Sequence, residues 1–540
     1  MALITLLTPN TIYVAGIVLL TSLFIWIYNH AFGTDLPKLA GIPELPGSKP
    51  FYGHLKVLGN DHASAFQKYG EEQKADIVQA RLGNRRIVVL NSFEAAQDWF
   101  VRNASATIDR PLFYTFHGIL STSQGGTIGT APWSDSAKRR RTAVGAVMTR
   151  PAIQKLSSML DLESNAVIED MFLASKECSG RTDVPIDPRI FFQRQALNLT
   201  LMLCYANRIS GIDDPLLFSI LEVAHSVSSF RSTNNNPQDY VPLLRYLPAN
   251  ERTKTAVDDR NRRDVWLDEL LSKVQLAVDE GRSVPCLSEG LLKDKTNAKL
   301  TKEEIKSINV SLVSGGFETL STTSIAGLSF LTTPLGLEIQ ERAYTAIMAV
   351  YSSPQDAWEK CVTEEAVPYM VALAREMLRY YAAIPLLPPR QTMTEFNWRG
   401  KVIPKGLSVY VNAQAVNHDK TAYGDDADEF RPERWLDGRE RDQPGLPHHY
   451  SFGAGSRVCP AVALSNRVIY ATFIRLIVSF KVKAKEGAEP VTDYVNYNED
   501  SSAQTAMPKR YQVVLEERQG RDVLLGNIAG SKKRTESLGF

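Results

Sequence analysis

The sequence predicts a mainly α fold with minor β sheets, preceded by an N-terminal transmembrane helix. Three observations carry this expectation. The first is an uncharged apolar run, Thr11 to Tyr28. The second is helical periodicity that dominates from about Pro132 to Val350 and returns from Val462 to Phe480. The third is strand character confined to two places, Ile77 to Leu90 and Val402 to Asn412.

The elements follow in chain order. Thr11 to Tyr28 reads TIYVAGIVLLTSLFIWIY, and no charged side chain precedes Asp35. About 20 such residues cross a hydrocarbon core. A cleavable signal peptide has a shorter apolar region, a basic start and a small-residue cleavage site, so a retained anchor over residues 1–30 is favoured. Trp26, Tyr28 and His30 would lie near an interface. Residues 31–52 carry Pro37, Pro43, Pro46 and Pro50, each fixing φ and lacking a donor. This reads as a stiff hinge or an ordinary linker. One domain is expected over 53–517, opening with two β runs around Gly83-Asn84. Residues 518–540 are polar, with Lys532, Lys533 and Arg534, and predict a disordered tail.

Composition narrows the function. At 44% hydrophobic and 22% charged the chain is globular rather than disordered. A net charge of +1 and the lack of a nucleic-acid motif exclude a nucleic-acid partner. Cys178, Cys204, Cys286, Cys361 and Cys459 are odd in number and scattered, which argues against a disulfide framework. No CxxC pair suggests zinc. Four of the five read as small buried hydrophobes.

Cys459 differs through its neighbours, Phe452-Gly453-Ala454-Gly455-Ser456-Arg457-Val458-Cys459-Pro460-Ala461. A thiolate that ligates iron needs close backbone approach and nearby positive charge. The glycines allow a tight loop, and the helix that follows directs its positive end toward the sulfur. Phe452 can pack on a macrocycle and Arg457 can pair with a carboxylate.

This loop resembles the haem loop of the cytochromes P-450, Phe-x-x-Gly-x-Arg-x-Cys-x-Gly, with Ala461 in the last glycine's place. The resemblance implies a cytochrome P-450 fold, haem b, and Cys459 as axial ligand of the iron. It extends over about residues 40 to 517. Glu376-Met377-Leu378-Arg379 and Arg434, within Phe430-Arg431-Pro432-Glu433-Arg434-Trp435, match the family's structural Glu-Arg-Arg cluster. Ser314-Gly315-Gly316-Phe317-Glu318-Thr319 matches the point where its central helix meets dioxygen and substrate. Thr319 would then order protons at the oxygen site with Glu318 in the relay, and Leu320 offers no second hydroxyl. Trp133, Arg390 and one of the bases Lys138 to Arg141 would hold the haem propionates. Arg140 is the candidate favoured on the helical wheel, because Ala137 stands where the family has arginine. The remaining bases would form a patch for an acidic electron donor.

Longer strings resemble the fungal phenylacetate hydroxylases: Thr107 to Phe116, Thr127 to Trp133, and Gln238 to Arg245. The implied activity is monooxygenation of a small aromatic substrate, an arylacetic acid or a phenol, with O2. Electrons would come from NADPH-cytochrome P-450 reductase, with cytochrome b5 as a second donor, since the chain has no nicotinamide fingerprint. Phe113, Tyr114 and Phe116 would supply aromatic walls, Ile384 and Leu386 apolar ones. Arg110 and Arg231 are candidate partners for a substrate carboxylate by loop position, each equally open to a structural pair or a haem propionate. The expected location is the endoplasmic reticulum membrane, single-pass, with the domain facing the cytosol. The alternatives are a secondary-metabolite P-450 acting on another intermediate, a haem-thiolate isomerase or dehydratase, and a non-enzymatic haem sensor or membrane scaffold. Glu318 and Thr319 argue for oxygen activation.

Overall fold

The computed structural model describes residues 9–122, 126–176, 184–248, 250–294, 300–438 and 447–540. Cys178 lies outside them. Helix Pro9–Phe32 runs 24 residues, about 36 Å at 1.5 Å per residue. Its large apolar side chains are exposed, Leu19 at 70% and Phe24 at 68%. Helix Val462–Ser479 is also long and apolar enough to span a membrane, but it is mostly buried in the core.

The proline-rich segment is not a free-standing spacer. It is docked on the first strand, because the backbone groups its prolines leave unpaired are met by Gln79. The Gln79 amide donates to Leu39 O and Ile42 O at 2.8 and 2.7 Å, and Leu45 N donates to Gln79 O at 3.0 Å. Leu39, Ile42 and Leu45 are buried beside it. The end of helix Pro9–Phe32 is held by the same sheet. Asn84 donates to His30 O and Gly33 O, and Arg81 to Ala31 O.

Strands β1 (Ile77–Leu82) and β2 (Arg85–Leu90) form the hairpin expected at Gly83-Asn84, with Gly83 at φ +54°. Strands β3 (Arg390–Gln391), β4 (Phe396–Trp398), β5 (Lys401–Ile403) and β6 (Ser408–Val411) follow the main helices. One sheet has the order β1-β2-β6-β3, with β2 and β6 parallel. Strands β4 and β5 pair, as do β7 (Phe480–Ala484) and β8 (Val513–Glu517).

The central helix, Lys302–Leu331, opens with a capping box in which Thr301 and Glu304 satisfy each other's backbone donors. It packs along helix Arg189–Tyr205. A Cβ on Gly316 would come within 2.7 Å of Thr200 Cγ2, whereas one on Gly315 would meet nothing within 4 Å. The two adjacent glycines therefore do different things. Gly316 permits helix packing, and Gly315 leaves open space.

The predicted disorder of 518–540 is corrected. Helix Arg521–Thr535 buries Leu524 and Ile528. Its Ser531 bridges Trp358 and Asp161 at 2.8 and 2.6 Å, and Arg534 reaches Asp161 at 2.8 Å. Asp161 also holds the buried Arg475 at 2.6 Å. The polar composition suggested a solvated tail, but two apolar residues one turn apart and a buried carboxylate partner suffice to dock it.

Candidate active site

A cavity of about 300 Å³ lies between the central helix and the loop that ends at Cys459. The loop is built by its glycines. Gly453 and Gly455 sit at φ +65° and +60°. A Cβ on Gly455 would fall 1.7 Å from Phe100 O. Gly453 N donates to Tyr450 O and Cys459 N to Phe452 O, closing the turn. Ala461 has φ −89°, an ordinary right-handed value, so nothing in the backbone requires glycine there. Burial pushes the Cys459 thiol up, while the Ala461 amide and Arg141 pull it back toward the thiolate. Helix Val462–Ser479 begins just beyond, as expected.

Three buried arginines, Arg110, Arg390 and Arg457, share this cavity with Arg141. Each is held by backbone carbonyls: Arg110 by Pro388 and by Pro389 (2.7 Å), Arg390 by Ala454, Arg457 by Ala131. Burial, and then their neighbours' charges, lower all three. Arg390 falls to about 9 and Arg457 to about 10. Arg110 Nε, Arg390 Nη1, and Arg457 Nε and Nη1 have no partner. A buried cluster of cations with donors left over lacks its anions. Two propionates beside a cysteine thiolate would supply them, so the residues present fit a haem.

The structure turns Arg140 away from this cluster. It donates to Gly126 O at 3.0 Å and to Ser307 Oγ, and it does not line the cavity. The next base, Arg141, takes that place, donating to Val458 O at 2.9 Å. The reason is helical phase: Arg140 lies on the face packed against the central helix. Trp133 stands behind the cluster, its ring 5.5 Å from the Arg457 guanidinium and its amide on Asp109. Arg110, left open from sequence between a substrate carboxylate, a structural pair and a propionate, lies with Arg390 and Arg457 in the cation cluster beside Cys459. Only its nearness in space to Arg390 and Arg457 reveals this.

Across the cavity, Thr319 Oγ1 donates to Gly315 O at 2.9 Å. Leu320 supplies no hydroxyl, but Thr323, one turn further on, also lines the cavity and donates to Thr319 O at 3.0 Å. Glu318 is buried beside the cavity rather than in its wall. It faces Arg231, and Thr505 Oγ1 lies 3.5 Å from its carboxylate. Burial raises Glu318 to about 7, against the pull of Arg231.

The structural cluster is assembled. Glu376, Arg379 and Arg434 are each almost wholly buried. Glu376 meets Arg379 at 2.7 Å and Arg434 at 3.0 Å, and it accepts from Arg431 N and Trp435 Nε1.

The aromatic walls are not where the sequence suggested. Phe116 packs into an apolar cluster with Val223, Val227 and Phe230. Phe113 lies edge-on to Tyr240 in a side pocket. Tyr114 is 38% exposed under Arg245. The cause is Asp239, which accepts from Thr115 N at 2.6 Å, with Gln238 on Thr115 Oγ1. These bonds draw the segment away from the cavity. Ile384 lines the cavity, but Leu386 does not. Leu386 bridges to Asn412 and lies in a neighbouring pocket with Tyr410 and Gln414, while Leu387 lines the cavity instead.

A sequence model of the cytochrome P450 family matches residues 43–512. The chain is 41% identical to phenylacetate 2-hydroxylase of Emericella nidulans over 509 residues, 94% of this chain and 95% of that one. It is 36% identical to 3-hydroxyphenylacetate 6-hydroxylase of the same organism, over 88% and 89% of the two chains. A zebra fish cytochrome P450 structure with abiraterone superposes with a TM-score of 0.65 at 20% identity, covering 85% of this chain and all of that one. With a cysteine loop and an arginine cluster that fit haem, and a family match across most of its length, the chain belongs to the cytochrome P450 family and is a haem-thiolate monooxygenase.

Proposed function

We propose that this chain hydroxylates a small aromatic acid, an arylacetic acid or a related phenol, on the ring or a benzylic carbon. The observation that carries the reading is the cavity itself. Cys459 stands on one side, Gly315 and Thr319 on the other, and Ile384 and Leu387 form apolar walls. Its similarity to two hydroxylases of phenylacetates points the same way. Cys459 would hold haem b, which when bound would supply activation of O2, and Arg110, Arg390, Arg457 and Arg141 would neutralise its propionates. Gly315 leaves room for a flat ring, and Thr319, whose hydroxyl donates to Gly315 O, offers its oxygen as an acceptor at the cavity. Glu318 is a buried acid that titrates near neutrality and can pass a proton inward.

Electrons come from NADPH through NADPH-cytochrome P-450 reductase, with cytochrome b5 as an accessory donor. The unpartnered apolar helix Pro9–Phe32 anchors the protein in the endoplasmic reticulum membrane with its domain in the cytosol. Removal of the residues up to Asn29 is expected to release it from membranes with haem retained. Haem loss on release would contradict this. The substrate test is spin-state titration with phenylacetate, phenols, a fatty acid and a bulky terpenoid. Response only to the last two would reject the aromatic-acid reading.

A further inference from the structure

The cavity holds a fifth arginine that stands apart from the propionate cluster. Arg231 closes helix Pro215–Arg231 and lines the cavity beside Ser314, Gly315, Thr319 and Gln504. Arg110 and Arg390 feel chiefly Arg457 and Arg141, and Arg457 feels Arg141, Asp109 and Arg140. The charges that act on Arg231 are Glu318 and Arg263. It therefore belongs to a separate electrostatic group, on the side of the cavity formed by the central helix.

Its bonding is incomplete. Nη2 reaches Ser314 Oγ at 3.3 Å, a long contact, and the buried Nε has no partner. Glu318 is near enough to act on it through space but makes no direct ion pair with it. The Phe116 ring lies 5.0 Å from the guanidinium carbon and supports the group from one side. The aromatic residue that failed to reach the cavity thus serves as a rest for the arginine that does. A largely buried, fixed cation with an open donor, beside apolar walls, is incomplete without an anion.

We propose that Arg231 binds the carboxylate of the substrate and so fixes which end of the molecule faces Thr319. This rests on the aromatic-acid reading above and names the residue that would impose it. A planar guanidinium can accept a carboxylate in fork geometry. With the acid group held at Arg231, the ring extends past Gly315, where a Cβ would meet only open space. Ser314 Oγ donates its own proton to Val310 O at 2.6 Å and meets Arg231 only through Nη2, so Arg231 keeps a further donor at the cavity wall. The substrate's charge would also offset that of Arg231, which otherwise favours ionised Glu318, so an acid substrate would favour the proton-bearing form of Glu318.

The test is spin-state titration of the full-length holoprotein and of Arg231→Gln with phenylacetate and with its neutral isostere phenylacetamide. Arg231→Lys serves as the conservative variant. Both variants must show the thiolate-type carbonyl band, which establishes an intact haem site. Loss of a buried charge-assisted pair predicts about 10- to 100-fold weaker phenylacetate binding in Arg231→Gln, with partial recovery in Arg231→Lys. Phenylacetamide affinity is expected to change little. Equal phenylacetate affinity in wild type and Arg231→Gln overturns the assignment, and so does an equal loss for acid and amide. If wild type gives no shift with phenylacetate or any other arylacetic acid, the acid branch of the proposed function falls, and the assignment of Arg231 with it.

Discussion

Gly453 and Gly455 lie in one loop with nearly equal positive φ, yet alanine should affect them differently. At either position the positive φ strains a residue that carries a Cβ, and Gly453, at φ +65° and ψ −160°, lies where essentially only glycine is found, a cost of about 1–3 kcal/mol. At Gly453 the new methyl has Leu387 Cδ1 as its nearest neighbour, at 4.0 Å, and little more is lost. At Gly455 it would fall 1.7 Å from Phe100 O. Relief requires backbone movement of more than an ångström in a segment whose Phe100 side chain is 2% exposed. The Arg390 guanidinium packs 3.9 Å from that ring, so the movement is passed to a propionate partner. Overpacking of this kind adds about 1–3 kcal/mol. Gly455→Ala should therefore lose haem or yield a large fraction without the thiolate band, while Gly453→Ala keeps it. The assay is haem per polypeptide after purification, followed by the half-life of the reduced carbonyl band on warming. Equal behaviour of the two variants would refute the steric argument and leave only the shared φ penalty.

Thr319→Ala should bind haem and substrate nearly as wild type but divert NADPH oxidation to peroxide, with product formation down at least about tenfold. Thr323 would leave a residual coupled fraction, so Thr319→Ala/Thr323→Ala should be worse than either alone; additive-free, wild-type coupling in Thr319→Ala would remove Thr319 from the relay. Glu318, raised to about 7 by burial, carries its proton below that pH and loses it above. Turnover limited by proton delivery should fall as pH rises through about 7, and Glu318→Gln should be slower with that limb absent. An unchanged pH profile in Glu318→Gln would show that the limb belongs to another group. Truncation after Gly520 removes Leu524 and Ile528 from the core, each worth about 1.5–3 kcal/mol. Thermal stability should drop measurably, and an unchanged midpoint would mean that the terminal helix is not docked in solution.

What the sequence revealed depended on whether local spacing carried the information. The cysteine loop and the hairpin at Gly83-Asn84 could be read because glycines at turns act over a few residues, whereas the Glu376–Arg379 spacing is common on solvated helix faces and took its meaning only from the family resemblance. Arg140 against Arg141 could not be read, since one residue's rotation about a helix decides which base faces the cavity. The displacement of Phe113, Tyr114 and Phe116 depends on Asp239, a partner far along the chain that no periodicity announces. The same holds for the docked tail, whose partner Asp161 lies in another helix. Leu386 and Leu387 are neighbours on a segment paired to Asn412, a residue distant in sequence, and local spacing does not say which of the two faces the cavity.

Thiolate ligation by Cys459 is tested most directly by the absorption of the reduced carbon monoxide complex in Cys459→Ser. Thiolate donation to the iron produces the strongly red-shifted band and the activation of oxygen alike. The account predicts that wild type shows that band and that Cys459→Ser, still folded by circular dichroism, lacks it and has no monooxygenase turnover. A serine variant that keeps the band would show that another residue ligates the iron.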